Sequence, residues 1–274
     1  MRNWLFLISL ALSSAACSQS GDETALSPPE ASATATSSAN MIGLAEAKAV
    51  VFEDNSSKNG GNREFAYSWP QAVSEVPRLV ERFTAERDRE LAAQKADWQE
   101  SLGNSPEDCI SCISRGFEKE WQVVAELPQW LSLSGDLYVY TGGAHGHSGK
   151  TSLVWDERGQ RALRGVDMFN SPVALQTALG ARLCEALDEQ RQKRRGIDVI
   201  PESGDMFVDC PGIDESTVLV GSSNGESFDR IGIYFGPYVA GSYAEGHYEL
   251  NFSVTPSILD AVKPEFASAF SVKR

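Results

Sequence analysis

Strand-like runs dominate this chain and only two stretches carry helical spacing, which restricts the fold more than any other property of the sequence. Runs rich in β-branched and aromatic residues occur at 63–69 (REFAYSW), 118–127 (EKEWQVVAEL), 136–141 (DLYVYT), 151–159 (TSLVWDERG), 216–221 (STVLVG), 230–235 (RIGIYF) and 247–254 (HYELNFSV), with turn residues between them. In the last run Tyr248, Leu250, Phe252 and Val254 alternate with His247, Glu249, Asn251 and Ser253, so one face is core and the other meets solvent or a ligand. Helical spacing appears from about Glu75 to Glu100, where Val73, Val76, Val80 and Phe83 lead into a charge-rich segment, and again after Ser171. No regular βαβ alternation is present. The pattern predicts an α+β fold, a mainly antiparallel sheet with two long helices packed on it.

The second helix has both ends written in the sequence. Ser171 suits an N-cap and Pro172 the first helical position, after which Leu175, Leu179, Leu183 and Leu187 form an apolar stripe backed by Ala178 and Ala186. Arg191, Lys193, Arg194 and Arg195 precede Gly196, where positive charge offsets the helix dipole and glycine accepts left-handed geometry. Anion binding by these cations is the alternative reading.

The first residues, MRNWLFLISLALSSAACSQSG, hold one Arg, an apolar run from Trp4 to Leu12 and small residues ending at Cys17. The run is too short to span a bilayer and reads as an export signal, residues 1–16. Its end resembles the bacterial lipobox, which implies cleavage before Cys17 and diacylation of that cysteine; an ordinary signal peptide with a coincidental cysteine is the alternative. Residues 17–41, the lipidated Cys17 followed by a Ser-, Thr-, Ala- and Pro-rich stretch, cannot bury enough surface to offset ordering entropy and are expected to form a flexible tether. Residues 42–274 are left for an α+β domain, as one unit or as two packed lobes.

With 38 acidic against 24 basic residues the net charge is -14, which repels nucleic acid. Setting Cys17 aside leaves Cys109, Cys112, Cys184 and Cys210, an even number in an exported chain, which favours disulfides over zinc. Of the possible pairings we expect Cys109 with Cys112, which share one short loop, and Cys184 with Cys210. A redox role for Cys109-x-x-Cys112 is the sharper alternative.

Two motifs carry chemistry. Gly221, Ser222, Ser223, Asn224 and Gly225 match the Gly-x-Ser-x-Gly of serine hydrolases, but that elbow needs a following helix, and here a strand run follows an Asn-Gly hairpin signal. The segment TGGAHGHSG places His145 and His147 among Gly142, Gly143, Gly146 and Gly149. These residues describe a tight turn with positive-φ glycines and a histidine bonded to backbone. The alternative is a metal or acid–base site of His145, His147 and His247, with Glu245 or Glu249 close by, serving a metal-dependent hydrolase. Tyr138 and Tyr140 share a strand face, with Trp121, Trp130 and Trp155 on neighbouring runs; core packing is the simpler role and sugar stacking the alternative.

The stretch LYVYTGGAHGHSGKTSLVWD, then GVDMF and the leucine-striped helix, resembles a bacterial extracytoplasmic domain of largely unknown function. That domain occurs N-terminal to the catalytic module of PdaC-type peptidoglycan deacetylases and in RsiV-like lysozyme-sensing anti-sigma factors. Tyr140, Gly142, Gly143, Ala144, His145 and Gly146 match its core motif, while YSWPQAV and IYFGPYVAGSYAEG are similar to its opening and its final strand region. The resemblance implies a long helix on an antiparallel sheet, facing the periplasm or cell exterior. It does not imply deacetylation, whose Asp-Asp pair and His-x-x-x-His motif belong to a separate module. The expectation is therefore a non-catalytic envelope lipoprotein, needing no cofactor and held to the membrane by its lipid. It would bind a cell-envelope protein or glycan, with lysozyme as a further candidate partner.

Overall fold

The computed structural model describes residues 48–106, 108–200, 204 and 206–272. The expected signal peptide, Cys17, the tether and the start of the domain at residue 42 lie outside the described residues. Among the described residues ten strands form two sheets. The larger contains β1 (Val50–Glu53), β2 (Ser56–Lys58), β3 (Gly61–Trp69), β4 (Arg115–Leu127), β5 (Trp130–Tyr140), β6 (His147–Asp156) and β7 (Arg161–Leu163), ordered β1-β3-β4-β5-β6-β7 with β2 also on β3. The smaller is β10 (Tyr248–Ser253), β9 (Arg230–Phe235) and β8 (Thr217–Gly221) in that order. Every pairing between these strands is antiparallel except β3 with β4, whose connection contains the first long helix. The fold is α+β and antiparallel-rich, as the run pattern predicts.

A short helix α1 (Gln71–Ser74) precedes α2 (Pro77–Asn104), whose 28 residues reach about 42 Å. The expected start near Glu75 moves to Pro77 because proline holds the preceding Val76 extended, at φ -112° and ψ 98°, and suits the first helical turn itself. Leu79 and Phe83 of α2 pack on Phe65, Tyr67, Trp69, Trp121, Leu133 and Trp155 of the large sheet. Phe83 stacks on Trp121 with ring centroids 4.5 Å apart.

The second predicted helix is divided. Ser171 Oγ accepts from the Ala174 N–H at 3.0 Å and opens α3 (Pro172–Leu179); Gly196, at φ 70° and ψ 14°, closes α4 (Ala181–Arg195). Between them Gly180 sits at φ 60° and ψ -146°, a conformation essentially confined to glycine, so the leucine stripe crosses a kink. Both halves still bury it: Leu175, Leu179, Leu183 and Leu187 join a second core with the small sheet and α5 (Pro256–Ala261). Arg191, grouped in the sequence with the cations that offset the helix dipole, is fully buried, donating to the carbonyls of Ala240, Val208 and Asp209 at 2.9–3.1 Å and to Asp188 at 2.9 Å.

One strand serves both cores. The pairing of β4 with β5 shifts between Val123 and Ala125, a bulge that turns the side-chain alternation over. Trp121 therefore faces α2, whereas Ala125 and Leu127 face the small sheet. Both expected disulfides are present, Cys109–Cys112 and Cys184–Cys210, as befits a chain that matures in an oxidising compartment. Among the described residues no helix is long and apolar enough to cross a membrane.

Candidate functional site

The two glycine-rich segments singled out in the sequence meet in space. Residues 141–146 turn β5 into β6, with Gly142 and Gly143 at φ 99° and 97°, where a side chain would be strained. Tyr140 Oη donates to the Gly143 carbonyl at 2.8 Å across the turn. A Cβ on Gly146 would come within 2.4 Å of Cζ of Tyr138, so the tyrosine ring occupies that space. His145 Nδ1 lies 3.0 Å from the Gly146 carbonyl, which can only accept, so Nδ1 carries the proton. The same carbonyl accepts from Tyr243 Oη at 3.0 Å, and the His145 and Tyr243 rings stack at 3.8 Å. The turn is thus clamped to residues 236–247, which connect β9 and β10.

That connection is itself held firmly. Tyr238 takes φ 68°, uncommon for a bulky residue, and its N–H donates to the Gly241 carbonyl at 3.0 Å. Glu245 accepts from the Ser242 N–H and Oγ at 3.0 Å each, from Arg195 Nε at 2.9 Å and from Tyr248 Oη at 2.5 Å. Burial alone would raise its pKa, but these donors outweigh burial and hold the carboxyl down to about 2. Arg194 donates to the Glu245 and His247 carbonyls at 2.6 and 2.5 Å and lies over the Tyr248 ring. The basic end of α4 therefore does more than cap its helix: Arg194 and Arg195 fasten the site's second loop.

The three histidines do not converge as the metal alternative requires. His145 and His147 are neighbours, centroids 5.7 Å apart and nearly perpendicular, but His247 stacks on Tyr234 at 5.0 Å. Among the described residues no group of three or more His, Cys, Asp or Glu is placed to hold a metal ion. The cause is the turn, which commits His145 to Tyr243 and the Gly146 carbonyl. The Gly-x-Ser-x-Gly match spans the β8–β9 hairpin, and Ser223 Oγ donates to Asp229 at 2.5 Å, with no helix following.

Beside the clamped turns lies a hollow of about 470 Å³ whose polar wall sequence reading missed. Strand register sets Glu120 opposite Asp136 and Asp136 opposite Lys150; two pairs further along, on the same face, Glu118 lies opposite Tyr138. Like charges directly opposed across strands destabilise a sheet. Lys150 relieves this by reaching Asp136 at 2.6 Å and Glu249 at 3.1 Å. Burial would lower the Lys150 pKa, yet its two carboxylate partners raise it overall. Glu118 and Glu120 are exposed and have no hydrogen-bond or ion-pair partner among the described residues. His247 and Tyr234 close the other side, and burial raises the Tyr234 pKa. Tyr138 and Tyr238 are 40% and 53% exposed, whereas Trp121 and Trp155 are core. The alternation of Glu118 and Glu120 around buried Lys119 was the available signal; their cross-strand neighbours were not.

No protein-family model and no curated protein matches the sequence. Among solved structures the chain is similar to a DUF3298 family protein from Pseudomonas aeruginosa PAO1, at 16% identity and TM-score 0.46, covering 82% of this chain and 97% of that one. It is also similar to a DUF3298 family member from Bacteroides fragilis NCTC 9343, at 14% identity and TM-score 0.43, covering 81% and 95%. Likeness at these scores assigns no function.

Proposed function

We propose that this protein is an exported, non-catalytic binding domain, tethered to a membrane through lipidated Cys17, that holds a cell-envelope glycan or protein in the hollow beside the His145 turn. The observation that carries the reading is the wall itself: Glu118, Glu120, Asp136 and Glu249 stand against a single lysine, with Tyr138, Tyr234 and His247 alongside. Opposed carboxylates cost stability, and such a cost is retained where it serves binding. Carboxylates accept hydrogen bonds from sugar hydroxyls or from a partner's cations, and the exposed Tyr138 offers a flat apolar face. His145 is committed to ring stacking and a backbone hydrogen bond and His247 to ring stacking, which favours positioning duties for these two over catalytic ones. The resemblance of the Tyr140–Gly146 segment to the PdaC- and RsiV-type domain supports the extracytoplasmic setting.

The test is a titration of isotope-labelled protein with a chitooligosaccharide and, separately, with lysozyme. Binding should shift resonances of Tyr138, Tyr234 and His247 and weaken in an E118Q/E120Q double variant. A lysozyme complex that forms equally well with the double variant, or that vanishes at moderate salt without such shifts, would count as general attraction to an acidic chain. Failure of both ligands to shift these residues would sink the recognition role of the hollow.

A further inference from the structure

A second and larger cavity, about 730 Å³, opens between α2 and the edge of β6 that β7 leaves uncovered, since β7 pairs only with Val154–Asp156. Its charge is the reverse of the chain's. Five cations line it, Arg82, Arg89, Lys119, Lys150 and Arg164, against the carboxylates of Glu86 and Asp167, in a protein of net charge -14. Internal pairing absorbs three of the five. Lys119 pairs with Glu86, Arg164 with Asp167 at 2.6 Å, and Lys150 turns away to Asp136 and Glu249.

Two cations remain. Arg82 has no hydrogen bond or ion pair among the described residues, and Arg89 meets only its half-buried sequence neighbour Glu90, at 2.9 Å. Seven residues apart, two helical turns, they share one face of α2, and the small Ala85 lies between them on the cavity wall. Beneath them the floor is fixed. Trp121 Nε1 donates to Tyr67 Oη at 2.9 Å, Tyr67 Oη donates to Glu86 at 2.9 Å, and Lys119 holds the same carboxylate. Burial, then the nearby Glu86 charge, raises the Tyr67 pKa, so the phenol stays protonated as the donor of this chain. Ser152 Oγ accepts from the Gly165 N–H at 2.8 Å, which leaves its own proton available on the wall. Leu153 and Val218 supply an apolar flank.

We propose that this cavity is a binding site for a small organic anion, a carboxylate or phosphate monoester on a compact polar skeleton, with Arg82 and Arg89 gripping the anionic group. Guanidinium forks match both groups bidentately, and the volume falls in the range of about 300–1,000 Å³ used for small-molecule ligands. The site is separate from the acidic hollow, with Lys150 as the wall between them.

Calorimetric titration of the purified protein with glucuronate, glucose 6-phosphate and uncharged glucose tests it, with the preferred anion deciding between carboxylate and phosphate. At least one anion should bind saturably, more weakly as salt rises, while glucose does not. R82Q/R89Q should weaken that binding at least about tenfold, the loss of a charge-assisted hydrogen bond, with unchanged melting temperature because both arginines are exposed. E118Q/E120Q should leave it intact. Absence of binding by both anions, undiminished binding to R82Q/R89Q, or equal loss in E118Q/E120Q would each overturn the assignment.

Discussion

Replacing Glu245 with Gln tests whether the second loop is held by charge. The carboxyl has an ordinary value of 4.5 and is held at about 2 in the folded chain. A depressed carboxylate stabilises the fold above its unfolded value, and that stability drains away as pH falls toward the folded value. At about 1.36 kcal/mol per pH unit, the difference sets a ceiling of about 3.4 kcal/mol at pH 7, of which about 1.4 kcal/mol survives at pH 3. The side chain is 18% exposed, so solvent screening trims these figures. We expect E245Q to cost about 2 kcal/mol at pH 7, in line with hydrogen bonds to a charged group. Urea unfolding of both proteins at pH 7, 5 and 3 measures the gap, which should be full at 7, slightly smaller at 5 and less than half at 3. An equal gap at pH 7 and pH 3, or one under about 0.5 kcal/mol throughout, refutes the account, because Arg195 and Tyr248 would then hold the loop without an ionised partner.

Other perturbations separate the remaining claims. Removing Cys184–Cys210, which spans 26 residues, should cost about 3.5 kcal/mol by loop-closure entropy, and removing Cys109–Cys112, separated by three, about half of that, both readable in urea titrations. Gly180→Ala should cost about 1–3 kcal/mol, since φ 60° with ψ -146° is nearly closed to a side chain; thermal unfolding detects it. Lys150→Met should lower the melting temperature by leaving Asp136 unpaired beside Glu120, and adding Asp136→Asn should restore part of the loss. Cys17→Ser should abolish incorporation of a labelled fatty acid and move the protein from the detergent phase to the aqueous phase.

What could be read in advance was local. Ser171 and Gly196 mark helix ends because a cap needs only its own turn, and Gly142 and Gly143 mark a turn because their backbone demands positive φ. Arg191 was readable too: it follows Leu175, Leu179, Leu183 and Leu187 at the next interval of four, so it continues the buried stripe rather than the basic tail. The break at Gly180 was hidden because glycine inside a helical pattern is tolerated, and only the packing of the two halves decides its conformation.

The acidic hollow was hidden for a different reason, which also explains its position. Along β5 the residues facing the small sheet are Trp130, Ser132, Ser134, Asp136 and Tyr138. Trp130 packs on the core, and the two buried serines are small enough to let β8 approach closely. Beyond them the small sheet presents Tyr234, His247 and Glu249, and the same face of β5 becomes the wall of the hollow. The β4 partners on this face change from Leu127 and Ala125 to Glu120 and Glu118 only because the bulge near Val124 turns the alternation over. Had β4 stayed regular, the alternation that turns Ala125 and Leu127 toward the small sheet would turn Lys119 and Trp121 the same way, removing them from the core beneath α2. A single extra residue thus lets one strand keep an aromatic core on one side while lining a carboxylate-rich hollow on the other. Deleting Val124 should therefore abolish ligand-induced shifts at Tyr138 and unfold the α2 core together, whereas E118Q/E120Q should weaken the binding that produces the shifts and leave that core intact.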